Sequence, residues 1–193
     1  MIKEYSKRIT NLLINYSGTP STEENIEIYT YGLECFFNTI IPLILLIFWG
    51  IGSRTLIETL CWISSFCIFR HYSGGFHAPT QVSCILCSTM LGISNYYICK
   101  YQRILFVNPL FITGICLIIC ILFAPMDSSK IILSRKEYYI KKVISIFIIL
   151  IGMAIYLVTK NNIGISIIYA FFCSCMLILT SLFFSKKGTT TTK

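Results

Sequence analysis

The sequence predicts an all-α, polytopic integral membrane protein, with about six transmembrane helices plus an N-terminal amphipathic interfacial helix. Three observations carry that reading. Of 193 residues, 55% are hydrophobic and 12% are charged, with a mean hydropathy of +0.75, whereas a soluble domain carries about 25% charged residues. The charges gather between long apolar runs instead of dotting amphipathic elements. The basic residues are also distributed unevenly between alternate loops. Water could not solvate such a surface, but lipid could.

The chain opens with Ile2, Tyr5, Ile9, Leu12, Leu13 and Tyr16 at helical spacing and Lys3, Lys7, Arg8 and Asn11 elsewhere. That pattern fits a helix over 1–20 lying on the inner leaflet. Gly18 and Pro20 break it, and Ser21-Thr22-Glu23-Glu24 has the form of a capping box that starts the next helix. Pro42 should kink that helix. A spanning helix needs roughly 20 mostly apolar residues. Six stretches qualify: 29–50, 55–69, 80–99, 104–124, 143–159 and 163–184, of which the second and fifth are short. Both charge signs precede the first span and no small-residue cleavage site follows, which argues against a cleaved signal peptide. The whole of 1–193 reads as a single membrane-embedded domain ending in a flexible tail over 186–193.

Six spans put both termini on one side. Lys3, Lys7, Arg8, Arg70, Lys130, Arg135, Lys136, Lys141, Lys142, Lys186, Lys187 and Lys193 lie there, against Arg54, Lys100, Arg103 and Lys160 opposite. Twelve basic residues against four make the first side cytoplasmic. Orientation in a membrane thus accounts for the net charge of +8, and nucleic acid is not implied. Most of the ten cysteines fall inside apolar spans, where a thiol is a small hydrophobe, so no structural disulfide is expected. Cys84 and Cys87 form a C-x-x-C without a second pair or a histidine to complete a zinc site. No metal or cofactor is called for.

Two acids, Glu34 and Glu58, fall in apolar stretches, where a carboxylate is costly and points either to function or to an interfacial or paired position. The densest chemistry lies in Arg70-His71-Tyr72-Ser73-Gly74-Gly75-Phe76-His77-Ala78-Pro79-Thr80-Gln81-Val82-Ser83-Cys84, which holds both histidines of the chain. His71 beside Arg70 reads as an interfacial residue. In one continuous helix His77 and Cys84 would be about 10.5 Å apart along the axis, too far for proton transfer. Gly74-Gly75 and Pro79 permit a turn and a new helix start. Cys84 would then lie in the second turn of that helix, leaning back toward a loop that carries His77. A helix N-terminus and a nearby histidine both favour a thiolate. Spacing alone leaves two readings open: a catalytic Cys–His pair, or a loop histidine and a packing cysteine.

At Arg70, Gly74-Gly75, His77-Ala78 and Cys84 the sequence resembles the AgrB-type accessory gene regulator peptidases, membrane cysteine enzymes that process quorum-sensing pheromone precursors. Tyr31-Gly32-Leu33-Glu34, Ala124-Pro125 and the basic residues that follow extend the resemblance over nearly the whole chain. It implies a thiol protease of the bacterial cell membrane that cleaves the acidic C-terminal tail of an AgrD-type precursor peptide. A thioester acyl-enzyme would form, followed by cyclisation to a thiolactone or lactone autoinducing peptide. Cys84 would be the nucleophile and His77 its general base, with Arg70 and Gly75 supporting. Glu34 is a candidate for orienting His77, and amides near Thr80 and Gln81 are candidates for the oxyanion site. Lys130, Arg135, Lys136, Lys141 and Lys142 would attract the acidic tail, although Ile131 interrupts the cluster; alternatively they only enforce topology. The resemblance also implies a homodimer. The main rival reading is a small multi-pass transporter without covalent catalysis.

Overall fold

The computed structural model describes residues 2–17, 22–74, 80–105, 108–126 and 134–188. Those residues form seven helices: α1 (Ile2–Ser17), α2 (Glu23–Gly52), α3 (Leu56–Ser73), α4 (Gln81–Leu105), α5 (Pro109–Phe123), α6 (Arg135–Thr159) and α7 (Asn162–Gly188).

Short polar side chains set the helix starts. Thr22 accepts from the Asn25 amide (3.4 Å), so the cap of α2 sits one residue later than the Ser21 box suggests. Asn108 accepts from the Leu110 amide (3.0 Å), with Pro109 in the first turn, where its missing N–H costs nothing. Ser134 and Glu137 form a reciprocal capping box at the start of α6. Asn161 accepts from the Ile163 and Gly164 amides at 3.1 and 3.3 Å and starts α7. The turn before it depends on Lys160, which closes α6 in the left-handed region at φ 47°. Each cap satisfies amides that would otherwise be stranded at the edge of an apolar phase.

Among the described residues, four helices are long and apolar enough to cross a membrane: Asn25–Gly52, Gln81–Tyr101, Arg135–Thr159 and Asn162–Leu182. The protein is therefore an all-α integral membrane protein, but two of the six expected spans differ. The stretch expected at 104–124 forms α5, whose 15 residues rise only about 22 Å against a hydrocarbon core of about 30 Å. The stretch expected at 55–69 forms α3, whose 18 residues end in the polar turn Arg70-His71-Tyr72-Ser73. The fifth expected span is not short: the capping box starts it at Arg135, eight residues before its apolar run, and gives 25 residues. The last helix runs on through Gly188, so residues 186–188 of the expected tail are helical.

The chain forms two compact units, Met1–Leu46 with Ala78–Met90, and Ile47–His77 with Leu91–Lys193. In the first, α1 turns Ser6, Thr10 and Ile14 inward, and the Thr30 hydroxyl donates to Thr10 Oγ1 at 3.2 Å. Tyr5, Leu12, Leu13 and Tyr16 remain exposed, on the apolar face read from the sequence. The protein-facing side of α1 thus carries Ser6, Thr10 and Ile14, and its larger apolar and aromatic residues are on the exposed side.

In the second unit α7 is the central helix. It packs against α3, α5 and α6, and 61% of its apolar window is buried in protein, against 17% for each of the other three spans. Phe69, Cys116, Cys120, Ile149, Phe171 and Cys175 meet in the core around it. All ten cysteines are free thiols. Polar contacts tie the lower part of α4 to α7: Asn95 Nδ2 donates to Ser166 Oγ at 3.1 Å, and Ser94 and Tyr169 share a hydrogen bond of 2.8 Å. Gly152 of α6 lies so close to α7 that a Cβ there would overlap the Phe171 ring and approach Ile167 at 2.9 Å, whereas Gly114 of α5 has open space beside it. Replacing Gly152 by Ala should therefore lower stability by about 1–3 kcal/mol through overpacking. Gly114→Ala should be neutral or slightly stabilising. Thermal unfolding in detergent compares the two, and equal midpoints would contradict the close α6–α7 approach.

Candidate active site

Cys84 occupies the beginning of α4, and the local sequence explains why that helix begins where it does. Thr80 accepts from the Ser83 amide through Oγ1 at 3.2 Å, and its carbonyl accepts from the Cys84 amide at 3.1 Å. The Ser83 hydroxyl returns to the Thr80 carbonyl at 2.9 Å and pairs with Thr80 Oγ1 at 2.7 Å. Thr80 is thus the cap, the first helical residue is Gln81, and Cys84 closes the first turn. The expectation of a second-turn position assumed a start at Pro79; the threonine hydroxyl moves the start two residues later.

This cap also decides which amides are left over. Those of Ser83 and Cys84 are used by Thr80, whereas Gln81 and Val82 have no intrahelical acceptor by helix geometry. The candidate oxyanion donors are therefore Gln81 and Val82, displaced by one residue from the expected Thr80 and Gln81. The half-buried Cys84 side chain leans back over this turn, as helical side chains do. Cys87, one turn further on, is exposed on the same helix.

His77 and Gly75 lie outside the described residues, as does Lys130. Arg70 is half-buried in the last turn of α3, with its guanidinium 5.7 Å from the centre of the Phe66 ring. Phe66 in turn stacks on Trp62 at 4.8 Å. This ladder of every fourth residue holds the cation at the helix C-terminus, where it also complements the dipole. His71 is exposed beside Tyr72. Ser73 is fully buried and ends the helix, and the Gly74 amide closes back onto the Arg70 carbonyl at 3.0 Å. Gly74 has φ +70°, the conformation that the Gly-Gly pair foretold.

The four described basic residues of this set lie on α6 and not in a loop. Arg135 and Lys136 are exposed in the first turn of α6, and Lys141 and Lys142 are half-buried in its second. Arg135, Tyr138 and Lys142 share one face by their spacing, and the Lys142 ammonium lies 5.9 Å from the centre of the Tyr138 ring. The box uses the amides of Ser134 and Glu137, so those of Arg135 and Lys136 are left at this end beside their exposed cationic side chains.

Of the intramembrane acids, Glu58 falls in the first turn of α3, where a carboxylate complements the helix dipole. Glu34 is half-buried in α2, one turn beyond Tyr31, and belongs to the same unit as Cys84. Among the described residues no group of three His, Cys, Asp or Glu side chains could hold a metal ion. Sequence reasoning missed three features: the Thr80–Ser83 cap, the Ser134–Glu137 box, and a contact between Ser73–Gly74 and Met126. The first two were legible as Thr-x-x-Ser and Ser-x-x-Glu; the third joins residues some fifty positions apart and carries no local signal.

Known proteins place the chain. The family described as accessory gene regulator B matches residues 6–181. An AgrB-like protein of Clostridium perfringens strain SM101 is 26% identical over 197 residues, covering 92% of this chain and 87% of its own. AgrB-like protein 2 of Clostridium perfringens strain 13 is 26% identical over 156 residues, covering 74% of this chain and 70% of its own. No solved structure matches. With nearly its whole length matched, the chain belongs to the accessory gene regulator B family.

Proposed function

We propose that this protein is a membrane cysteine endopeptidase that removes the acidic C-terminal tail of an AgrD-type pheromone precursor and supports closure of the remaining peptide into a thiolactone or lactone. The observation that carries the reading is the place of Cys84: a half-buried thiol closing the first turn of a capped helix, with the Gln81 and Val82 amides of that turn given no acceptor among the described residues.

The chemistry follows from that place. Cys84 Sγ, as thiolate, attacks the carbonyl carbon before the tail, and the oxyanion that develops is met by the amides of Gln81 and Val82. The carbon–nitrogen bond then breaks, and the departing amine takes a proton from the His77 imidazolium. A thioester on Cys84 remains. A thiol or hydroxyl within the precursor attacks that thioester, its proton passing to His77, and Cys84 leaves as thiolate. Exchange of one thioester for another is nearly isoenergetic, so ring closure must outrun water. A site at the membrane boundary favours it by excluding solvent.

The polar end of the second unit supports a shared cytoplasmic face. The end of α3, the segment after α5 and the start of α6 meet there, and they carry Arg70, Arg135, Lys136, Lys141 and Lys142. The leader of the precursor would lie on the inner leaflet with the apolar face of α1, while its acidic tail is drawn to α6. Orientation and dimerisation belong to the same proposal.

In proteoliposomes, wild type should release the acidic tail and leave a mass-spectrometric thioester adduct on Cys84, whereas Cys84→Ala and His77→Ala should release none. Tail release by both variants would remove the pair from the chemistry. Failure of the wild type to cut its cognate precursor would favour transport. Binding of the tail should depend on charge: each basic side chain is worth at most about 1 kcal/mol near a surface. Arg135→Gln with Lys142→Gln should then raise KM by up to about thirtyfold at low salt, and by progressively less as salt is added. A KM indifferent to both changes would mean that these residues serve topology alone.

A further inference from the structure

One end of the second unit gathers aromatic rings and cations that the proposed chemistry does not use. Helix α4 carries Tyr96, Tyr97, Lys100 and Tyr101 where its apolar span runs out, at Tyr101. The Lys100 ammonium donates to the Tyr96 hydroxyl at 3.3 Å and lies 5.4 and 5.6 Å from the centres of the Tyr96 and Tyr101 rings. Trp49 of α2, whose span ends at Gly52, meets the Tyr96 ring edge to face at 6.1 Å. Beside Lys100, the Cys99 thiol donates to the Asn162 carbonyl at 3.7 Å, which brings in the start of α7. Tyr156 of α6 lies against Gly164 of that same first turn of α7. Three spans thus end, and a fourth begins, at one place. Two further cations occupy the turns there. Arg54 follows α2 at φ 58° and Lys160 follows α6 at φ 47°, and both are exposed. The left-handed region ordinarily takes glycine or asparagine, so each turn carries a charge where a less strained residue would serve.

We propose that Trp49, Tyr96, Lys100 and Tyr101, flanked by Arg54 and Lys160, form a binding surface for the phosphate of an anionic phospholipid headgroup. This surface is independent of the peptidase reading. Indole and phenol rings place an apolar body among acyl chains and a polar edge in the headgroup layer. A lysine at the end of a span extends its ammonium toward the same layer. Here two rings hold that ammonium, so its place is set before a phosphate arrives and less side-chain freedom is lost on binding. An ammonium has three N–H donors; the Tyr96 hydroxyl takes one, and a phosphate oxygen can take another. Among the described residues the one acid at this end is Glu58, half-buried in the first turn of α3. Three cations against one carboxylate favour a headgroup of net negative charge over a zwitterionic one.

Lipid can be detected at Trp49 itself. Full-length protein is placed in mixed vesicles of phosphatidylcholine and phosphatidylglycerol, one of the two carrying a nitroxide on its acyl chain. The Trp49 fluorescence is the difference between wild type and Trp49→Phe, which separates it from Trp62, the other tryptophan of the chain. Trp62→Phe gives the same signal directly. A nitroxide next to the headgroup should quench Trp49 more than one at the chain terminus. At equal depth and mole fraction, labelled phosphatidylglycerol should quench it more than labelled phosphatidylcholine. Lys100→Gln should lower that preference by up to about fivefold, and Lys100→Arg should retain it. Strongest quenching from the chain terminus would overturn the placement at the headgroups. Equal quenching by the two lipids, or a preference unmoved by Lys100→Gln, would overturn the phosphate site. A preference that inorganic phosphate removes, at an ionic strength where chloride does not, would assign the cations to the free anion instead of to lipid.

Discussion

In a protein whose surroundings are as apolar as its side chains, burying another leucine gains little, and close packing with a few internal hydrogen bonds must hold the helices together. The second unit is built on that constraint. Its central helix α7 meets α6 at Gly152, where the Phe171 ring occupies the space a side chain would take, and again at Gly164 beside Tyr156. It meets α4 through Asn95–Ser166 and Ser94–Tyr169. The small residues and hydroxyls of an otherwise greasy sequence therefore sit where the helices touch. The large apolar residues of α6, such as Phe147, Leu150 and Ile151, are left exposed to face lipid. This inverts the pattern of a soluble domain, and it makes the bundle sensitive to added volume rather than to lost hydrophobicity.

The same constraint determined what could be read from the sequence. The all-α class, the amphipathic first helix and the other helices follow from apolar runs and their punctuation, which are local properties. The boundaries were less legible. Helix α6 begins at Ser134, inside a basic stretch that resembles a loop, because a capping box outweighs composition there. Residues 104–124 are apolar enough to suggest a crossing, but Asn108 and Pro109 start the helix late and leave 15 residues. The site divides in the same way. Arg70, Gly74 and Cys84 stand out from the sequence by residue type and spacing. Met126 does not, since nothing local distinguishes it from any other methionine at the end of an apolar run; only the fold brings its amide to Ser73.

The proposed chemistry makes a particular demand on such a scaffold. An amide is more stable than the thioester that replaces it, so the first step runs uphill unless the tail departs, and the acyl-enzyme must then be met by a nucleophile of the same peptide before water reaches it. Both conditions are positional. The tail has to be held while the bond breaks and released afterwards, which suits attraction by exposed, salt-screened side chains such as Arg135 and Lys136 better than a deep charged pocket.

The base, by contrast, has to stay in place through both steps, since it gives a proton to the leaving amine and takes one from the attacking group. The segment leading toward it departs from a fixed point: the Gly74 amide bonds to the Arg70 carbonyl and the Ser73 carbonyl accepts from the amide of Met126, whose side chain packs on the core of the second unit. Arg70 contributes to the same end, because its carbonyl closes α3 onto the Gly74 amide while its guanidinium is held by the Phe66–Trp62 stack.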